Sequence, residues 1–265
     1  MLFDQNWLGI KQILDGSKKE IHNDTLYVGC SVAAQLLPYN RDNQLTTNAS
    51  THPIGNYFLV KNAIENNKHI HTVIYLSVPD MLGQKLATER TYNYFVKPFY
   101  TFENKDEINS SAGTKAILSR NPALFLCVLN SFKVIQMDDF NYFDHDNRPG
   151  DFISDDAIEW LVKIKQLCDG HHVSFLLASP PVSISKKAST SDWVNIRTKT
   201  AASPLKNLFE RYFSTIIYVD DRYSRDSIHW KADFLDSHRS EFIAEIKTRL
   251  RDSVTSGEKS LIKTN

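Results

Sequence analysis

The two ends of this chain hold the three residue types that make a serine hydroxyl usable as a nucleophile. Residues 25–31 read TLYVGCS, an apolar run followed by Gly29, Cys30 and Ser31 where strand-like composition gives way to helical composition. Near the C-terminus, Asp226-Ser227-Ile228-His229 precedes another helical segment. A serine needs a base to take its proton. The base needs an acid that fixes its tautomer and stabilises the imidazolium. Ser31, His229 and Asp226 fill those roles. At the start of a helix, the Ser31 amide is free of intrahelical bonding and can donate to a tetrahedral oxyanion. A second donor is expected from the loop Asn48-Ala49-Ser50-Thr51. Each residue alone has an ordinary reading: Ser31 as a helix N-cap, His229 as a surface or capping histidine, Asp226 as a helix start. The three types together point to chemistry.

These residues need elements that bring them to one place. Four short, nearly continuous apolar runs read as strands, at 25–30, 71–78, 173–179 and 214–220, with a weaker one at 44–50. Such runs are expected of parallel strands covered on both faces. Helical patterns lie at 3–15 (closed by Gly16), 53–67, 154–168, 203–213 and 233–251. The alternation argues for an α/β layered sheet with right-handed crossovers. Ligands of open α/β sheets bind beyond the carboxyl ends of the strands. Ser31 follows the first strand and Asp226-x-x-His229 the last, so both fall at that edge. Residues 80–150 break the rhythm and read as an inserted, largely helical cap, rich in aromatic residues between Tyr92 and Phe102. The expectation is a single domain over 1–252 with a polar tail at 253–265.

Lys plus Arg and Asp plus Glu each number 31, so the chain is formally neutral. That gives no support to nucleic-acid binding through a broad basic face. The three cysteines, Cys30, Cys127 and Cys168, are odd in number, far apart and without a CxxC. They read as free thiols rather than as a disulfide framework or a zinc site. The N-terminus lacks the pattern of a signal peptide and no run reaches membrane-spanning length, so the expected location is cytoplasmic. Removal of an N-terminal anchor would leave the same pattern in an exported or membrane-linked protein. No Walker loop or GxGxxG occurs, so nucleotide-dependent chemistry has no support and no cofactor is expected.

Gly29-Cys30-Ser31 and Asp226-x-x-His229 resemble the first and last sequence blocks of the SGNH/GDSL hydrolase superfamily, Gly-Asp-Ser and Asp-x-x-His. The resemblance extends to Asn48-Ala49-Ser50-Thr51 and the helix at 55–64, where the family places its second block. Trp230 after the histidine resembles the Asp-x-His-Trp ending of alginate-type polysaccharide O-acetyltransferases. Two departures stand out. Cys30 occupies the family's aspartate position, and Ser77-Val78-Pro79-Asp80 replaces the Gly-x-Asn-Asp block that supplies an oxyanion asparagine. The resemblance implies a three-layer, flavodoxin-like α/β fold with a parallel sheet. It implies serine-dependent acyl-ester chemistry on a carbohydrate or polysaccharide, as an O-acyl esterase or an O-acetyltransferase. A transferase would need an acyl donor such as acetyl-CoA. The catalytic residues implied are Ser31, Asp226 and His229, with Gly29, Asn48, Ser50, Thr51 and Trp230 as oxyanion or substrate-binding residues. A membrane-linked partner is compatible with the polysaccharide-modifying branches. The alternative is a catalytically degenerate module that binds a glycan or a partner protein.

Other residues have plainer readings. Cys30 is a small buried apolar residue, the true nucleophile, or a redox-sensitive thiol; the first is the ordinary state of a free cysteine. His171-His172 lacks the spacing of a metal motif. Asp233, Asp236 and His238 form the polar side of a helix whose apolar side is Phe234, Leu235, Phe242 and Ile246. The aromatic residues of 92–102 are cap core or a sugar-stacking surface, with core the simpler reading.

Overall fold

The computed structural model describes residues 5–37, 42–47, 52–83, 86, 96–115, 153–187, 190–226 and 228–262. In chain order the elements are α1 (Gln5–Ser17), β1 (Thr25–Gly29), α2 (Ser31–Leu36), β2 (Gln44–Thr46), α3 (Pro53–Asn66), β3 (Thr72–Leu76), α4 (Pro79–Leu82), α5 (Lys105–Ser110), α6 (Asp155–Gly170), β4 (Ser174–Ala178), β5 (Val182–Ser183), α7 (Thr190–Thr200), α8 (Lys206–Thr215), β6 (Tyr218–Val219) and α9 (Ala232–Ile262). Strands β1 to β4 form one parallel sheet in the order β2-β1-β3-β4. This is the start of the doubly wound order 2-1-3-4-5.

The continuous apolar runs are explained by cover on both faces. On one side lie α1, α3 and α6; on the other lie α2, α8 and α9. Tyr27, Ile74 and Leu76 face Ile243, Ile246 and Leu250 of α9. The molecule is therefore α/β with helices layered on both sides of a parallel sheet. Among the described residues no helix is long and apolar enough to cross a membrane.

The run at 214–220 is not a strand of this sheet. Phe209, Tyr212 and Thr215 are buried at helical spacing, which carries α8 through Thr215 and leaves only Tyr218–Val219 of this run as a strand. That short strand pairs with β5 in a separate two-stranded parallel sheet. Pro180 and Pro181 have no N–H to continue the β4 ladder, so the chain restarts at Val182. The C-terminal helix also exceeds the expected end at 251, running to Ile262 through what reads as a polar tail. The stretch contains no proline, and its one glycine, Gly257, costs a helix about 1 kcal/mol without stopping it. At the other end, α1 passes Gly16 and closes at Ser17, whose hydroxyl donates to the Leu14 carbonyl at 2.7 Å.

The described part of the insertion is helical, with α4, a single 3-10 turn at Lys97–Phe99, and α5. It is held onto α3 and α6. Phe99 stacks on Phe58 at 5.8 Å, and Phe58 and Tyr57 meet Trp160 at 5.8 and 5.3 Å. The Tyr57 hydroxyl donates to Glu107, which Lys61 pairs at 3.0 Å. Phe99 and Tyr100 are thus core, whereas Phe102 is 81% exposed. Tyr92, Tyr94, Phe95 and residues 116–152 lie outside the described residues.

Candidate active site

The turn that presents Ser31 is dictated by its neighbours. A Cβ at Gly29 would stand 2.1 Å from the Leu76 carbonyl oxygen, so only glycine lets β1 and β3 approach this closely. Gly29 therefore has a packing role, within the ladder opposite Leu76 and Thr46. The Cys30 N–H extends the ladder by donating to Leu76 O at 3.1 Å. Cys30 is extended and is the N-cap of α2, without a capping side-chain bond. Its carbonyl accepts the Ala34 N–H at 3.0 Å, the first helical bond. Ser31 is thus the first residue of the helix rather than its cap. By position its amide has no intrahelical acceptor.

Asp226 and His229 are assembled locally. One Asp226 oxygen, Oδ1, accepts the backbone N–H of His229 at 2.7 Å and of Ile228 at 3.2 Å. The carboxylate also accepts from His229 Nδ1, at 2.9 Å on Oδ2 and 3.0 Å on Oδ1. With its proton on Nδ1, the imidazole presents a lone pair at Nε2. That nitrogen lies 2.9 Å from Ser31 Oγ, which donates to it across 198 residues of sequence. Burial acts to raise the Asp226 carboxyl. The His229 N–H, the His229 ring and the Ile228 N–H outweigh it and hold the group well below the usual carboxylate range. The acid is charged and the base is oriented. Ser31 is 2% exposed, while the His229 and Asp226 side chains are 23% and 44% exposed.

The loop that carries this pair is pinned on both sides. Trp230 donates its N–H to Gln35 Oε1 at 3.3 Å and its indole N–H to the Pro181 carbonyl at 3.2 Å. Arg239 of α9 donates to the Gln35 carbonyl at 3.3 Å. Arg225 N–H to His229 O at 2.7 Å and Lys231 N–H to Tyr223 O at 3.0 Å close the loop on itself. Trp230, expected to bind substrate, is buried with its indole N–H occupied, and what it does here is anchor.

Asn48, Ser50 and Thr51 lie outside the described residues. Asp80, in place of the missing asparagine block, pairs with Lys186 at 2.9 Å. Cys30 is buried, and burial pushes its thiol up against the opposing amides of Ala33, Val78 and Val32. It is a packed thiol, and the imidazole serves the neighbouring serine instead. His171 caps α6 and His172 takes a left-handed turn (φ 59°), an ordinary helix exit. Among the described residues no three His, Cys, Asp or Glu side chains gather as metal ligands would.

One group escaped the sequence reading. His52 and Asn56 at the start of α3 are fully buried, and Asn56 donates to the Tyr75 hydroxyl at 3.3 Å. The available signal was polar residues inside the otherwise apolar HPIGNYFLV.

The arrangement can remove the Ser31 proton as Oγ attacks an electrophile, and it can return a proton to a leaving group. Compared with known proteins, the chain matches no family model, no curated protein and no solved structure.

Proposed function

We propose that the protein carries out serine-dependent acyl-ester chemistry. The carrying observation is the continuous chain Ser31 Oγ, His229 Nε2, His229 Nδ1, Asp226, with joins of 2.9 Å at each end. In this reading His229 takes the proton as Ser31 Oγ bonds to the acyl carbon. The carbonyl π pair moves onto oxygen, and the Ser31 amide donates to it. The tetrahedral intermediate collapses, the C–O bond to the leaving alkoxide breaks, and His229 returns the proton to that alkoxide. Deacylation repeats the sequence with water (O-acyl esterase) or with a sugar hydroxyl (O-acetyltransferase, with an acyl donor such as acetyl-CoA). The carbohydrate class rests on the resemblance of the Asp226 to Trp230 segment to polysaccharide-modifying SGNH enzymes, and the site chemistry rests on geometry.

A second reading is favoured by one observation, the 2% exposure of Ser31. A degenerate module that binds a glycan or protein would not need its serine within reach of an acyl group. It would also not need an ionised acid, an oriented base and a serine in register, and that argument supports the enzyme reading.

The test is intact-mass detection of a fluorophosphonate adduct on the wild type, Ser31→Ala, His229→Ala and Cys30→Ala. One adduct is expected, lost in the first two variants and kept in Cys30→Ala. An unlabelled wild type overturns the acyl-enzyme reading in favour of the binding module.

A further inference from the structure

Two fully buried polar atoms at the sheet edge that carries Ser31 have no hydrogen-bond partner among the described residues: His52 Nε2 and Asn56 Oδ1. Buried polar groups are nearly always paired, so each exception needs a reason. The proton position on His52 follows from its other nitrogen. Nδ1 accepts the Ile54 N–H at 3.2 Å as the cap of α3, so it carries the lone pair and Nε2 carries the hydrogen. Burial lowers the ring to about 3, which keeps it uncharged at neutral pH. His52 therefore offers a fixed, desolvated N–H with no acceptor among the described residues.

Its place is tied to the nucleophile. Asn56 donates to the His52 carbonyl at 3.1 Å and to the Tyr75 hydroxyl at 3.3 Å. Tyr75 pairs in register with Val28 and precedes Leu76, whose carbonyl accepts the Cys30 N–H. The cluster is thus fixed to the strand pair that turns into Ser31. In chain order it follows β2, which flanks β1 on the side away from β3. His229 arrives from the α2 side, where Trp230 meets Gln35. An attacked carbonyl needs this separation, with its proton acceptor on one side and its oxyanion donors on another.

We propose that His52 Nε2–H is the second donor to the oxyanion formed when Ser31 attacks an ester carbonyl, alongside the Ser31 amide. This rests on the serine reading above. His52 keeps its proton throughout; the proton that moves is the Ser31 hydroxyl's, to His229 Nε2 and then to the leaving alkoxide. Uncharged imidazole is suited to this work, since it donates without placing a cation in a buried site.

The test is His52→Asn, whose Oδ1 stands where Nδ1 stood and keeps the cap while the distal N–H is gone. With 4-nitrophenyl acetate, kcat is expected to fall on the order of 10²–10³-fold with KM within about threefold, and fluorophosphonate labelling to slow in parallel. In ¹⁵N-imidazole NMR of the wild type, the His52 Nε2–H proton is expected to shift when Ser31 is phosphonylated; this readout decides if the variant does not fold. A folded variant with wild-type kcat, or a resonance unmoved by phosphonylation, overturns the proposal and leaves Ser31 labelling standing. A wild type without label on Ser31 removes the serine reading and this proposal with it.

Discussion

Replacing Asp226 by asparagine tests the acid–base pair with the fold kept. Asn has one carbonyl oxygen and one NH2 where Asp226 has two acceptors. The backbone N–H groups of His229 and Ile228 point at one of those positions from 2.7 and 3.2 Å. Setting the NH2 there would face it with two donors and strand both, at about 1–3 kcal/mol each. The asparagine oxygen therefore takes that position, and the NH2 faces His229 Nδ1. Nδ1 must then accept, the imidazole proton moves to Nε2, and Nε2–H points at Ser31 Oγ. The base is present but has no lone pair for the serine. A wrong tautomer of this kind lowers turnover on the order of 10⁴-fold, about 5.4 kcal/mol of transition-state stabilisation. The exposed Arg225 contact at 3.3 Å adds little either way. The assay is the second-order rate of fluorophosphonate labelling by intact mass, with urea unfolding beside it. A folded Asp226→Asn protein that labels within tenfold of wild type would refute the tautomer argument.

Two further outcomes follow from packing and burial. Gly29→Ala places a methyl 2.1 Å from the Leu76 oxygen and 3.0 Å from the Ala33 Cβ, so β1 and β3 must part; a loss of about 2 kcal/mol or more is expected in urea unfolding, with slower labelling because Ser31 shifts. A loss below about 0.5 kcal/mol would show that the strands yield freely. His52 should make the protein acid-sensitive. Its native value is lowered to about 3 and its unfolded value is near 6.5, so between them the unfolded state binds the extra proton and stability falls as pH falls. From pH 6.5 to 4.5 this amounts to about 2 kcal/mol, read as the difference in pH dependence between wild type and His52→Asn. Equal pH dependence of the two urea midpoints would count against it.

The sheet was legible because its strands are short apolar runs with nothing polar to disguise them, and three of the four strong runs lie within a residue or two of observed strands. The fourth misled because Ile216 and Ile217 suit a strand, while the stripe Phe209, Tyr212, Thr215 claims the preceding residues for a helix. Periodicity alone does not arbitrate between overlapping signals. Ser31, Asp226 and His229 could be found because their chemistry is peculiar to their types. Whether they meet was not readable, since it depends on strand order and on the Trp230 anchor. His52 was missed for the opposite reason: a histidine before a proline looks like a loop residue until burial and an orphaned N–H mark it.

The site divides its need for accuracy between local and distant parts. Asp226 and His229 belong to one short turn, whose backbone N–H groups bind the same carboxylate that orients the ring. The other half is set by the close approach of β1 to β3 at Gly29, which fixes where Cys30 ends and Ser31 begins. What remains is one 2.9 Å join between residues 198 apart. Gln35 makes that join reproducible. It lies on the helix that Ser31 begins, its side chain takes the N–H next to His229, and its carbonyl takes Arg239 from the helix beyond. Ser31 and His229 are thus referred to the same short helix. An error in how α9 packs would move both loop and helix together rather than pull His229 from Ser31. A six-residue helix is enough for this, because its task is to carry a serine at one end and a glutamine one turn later.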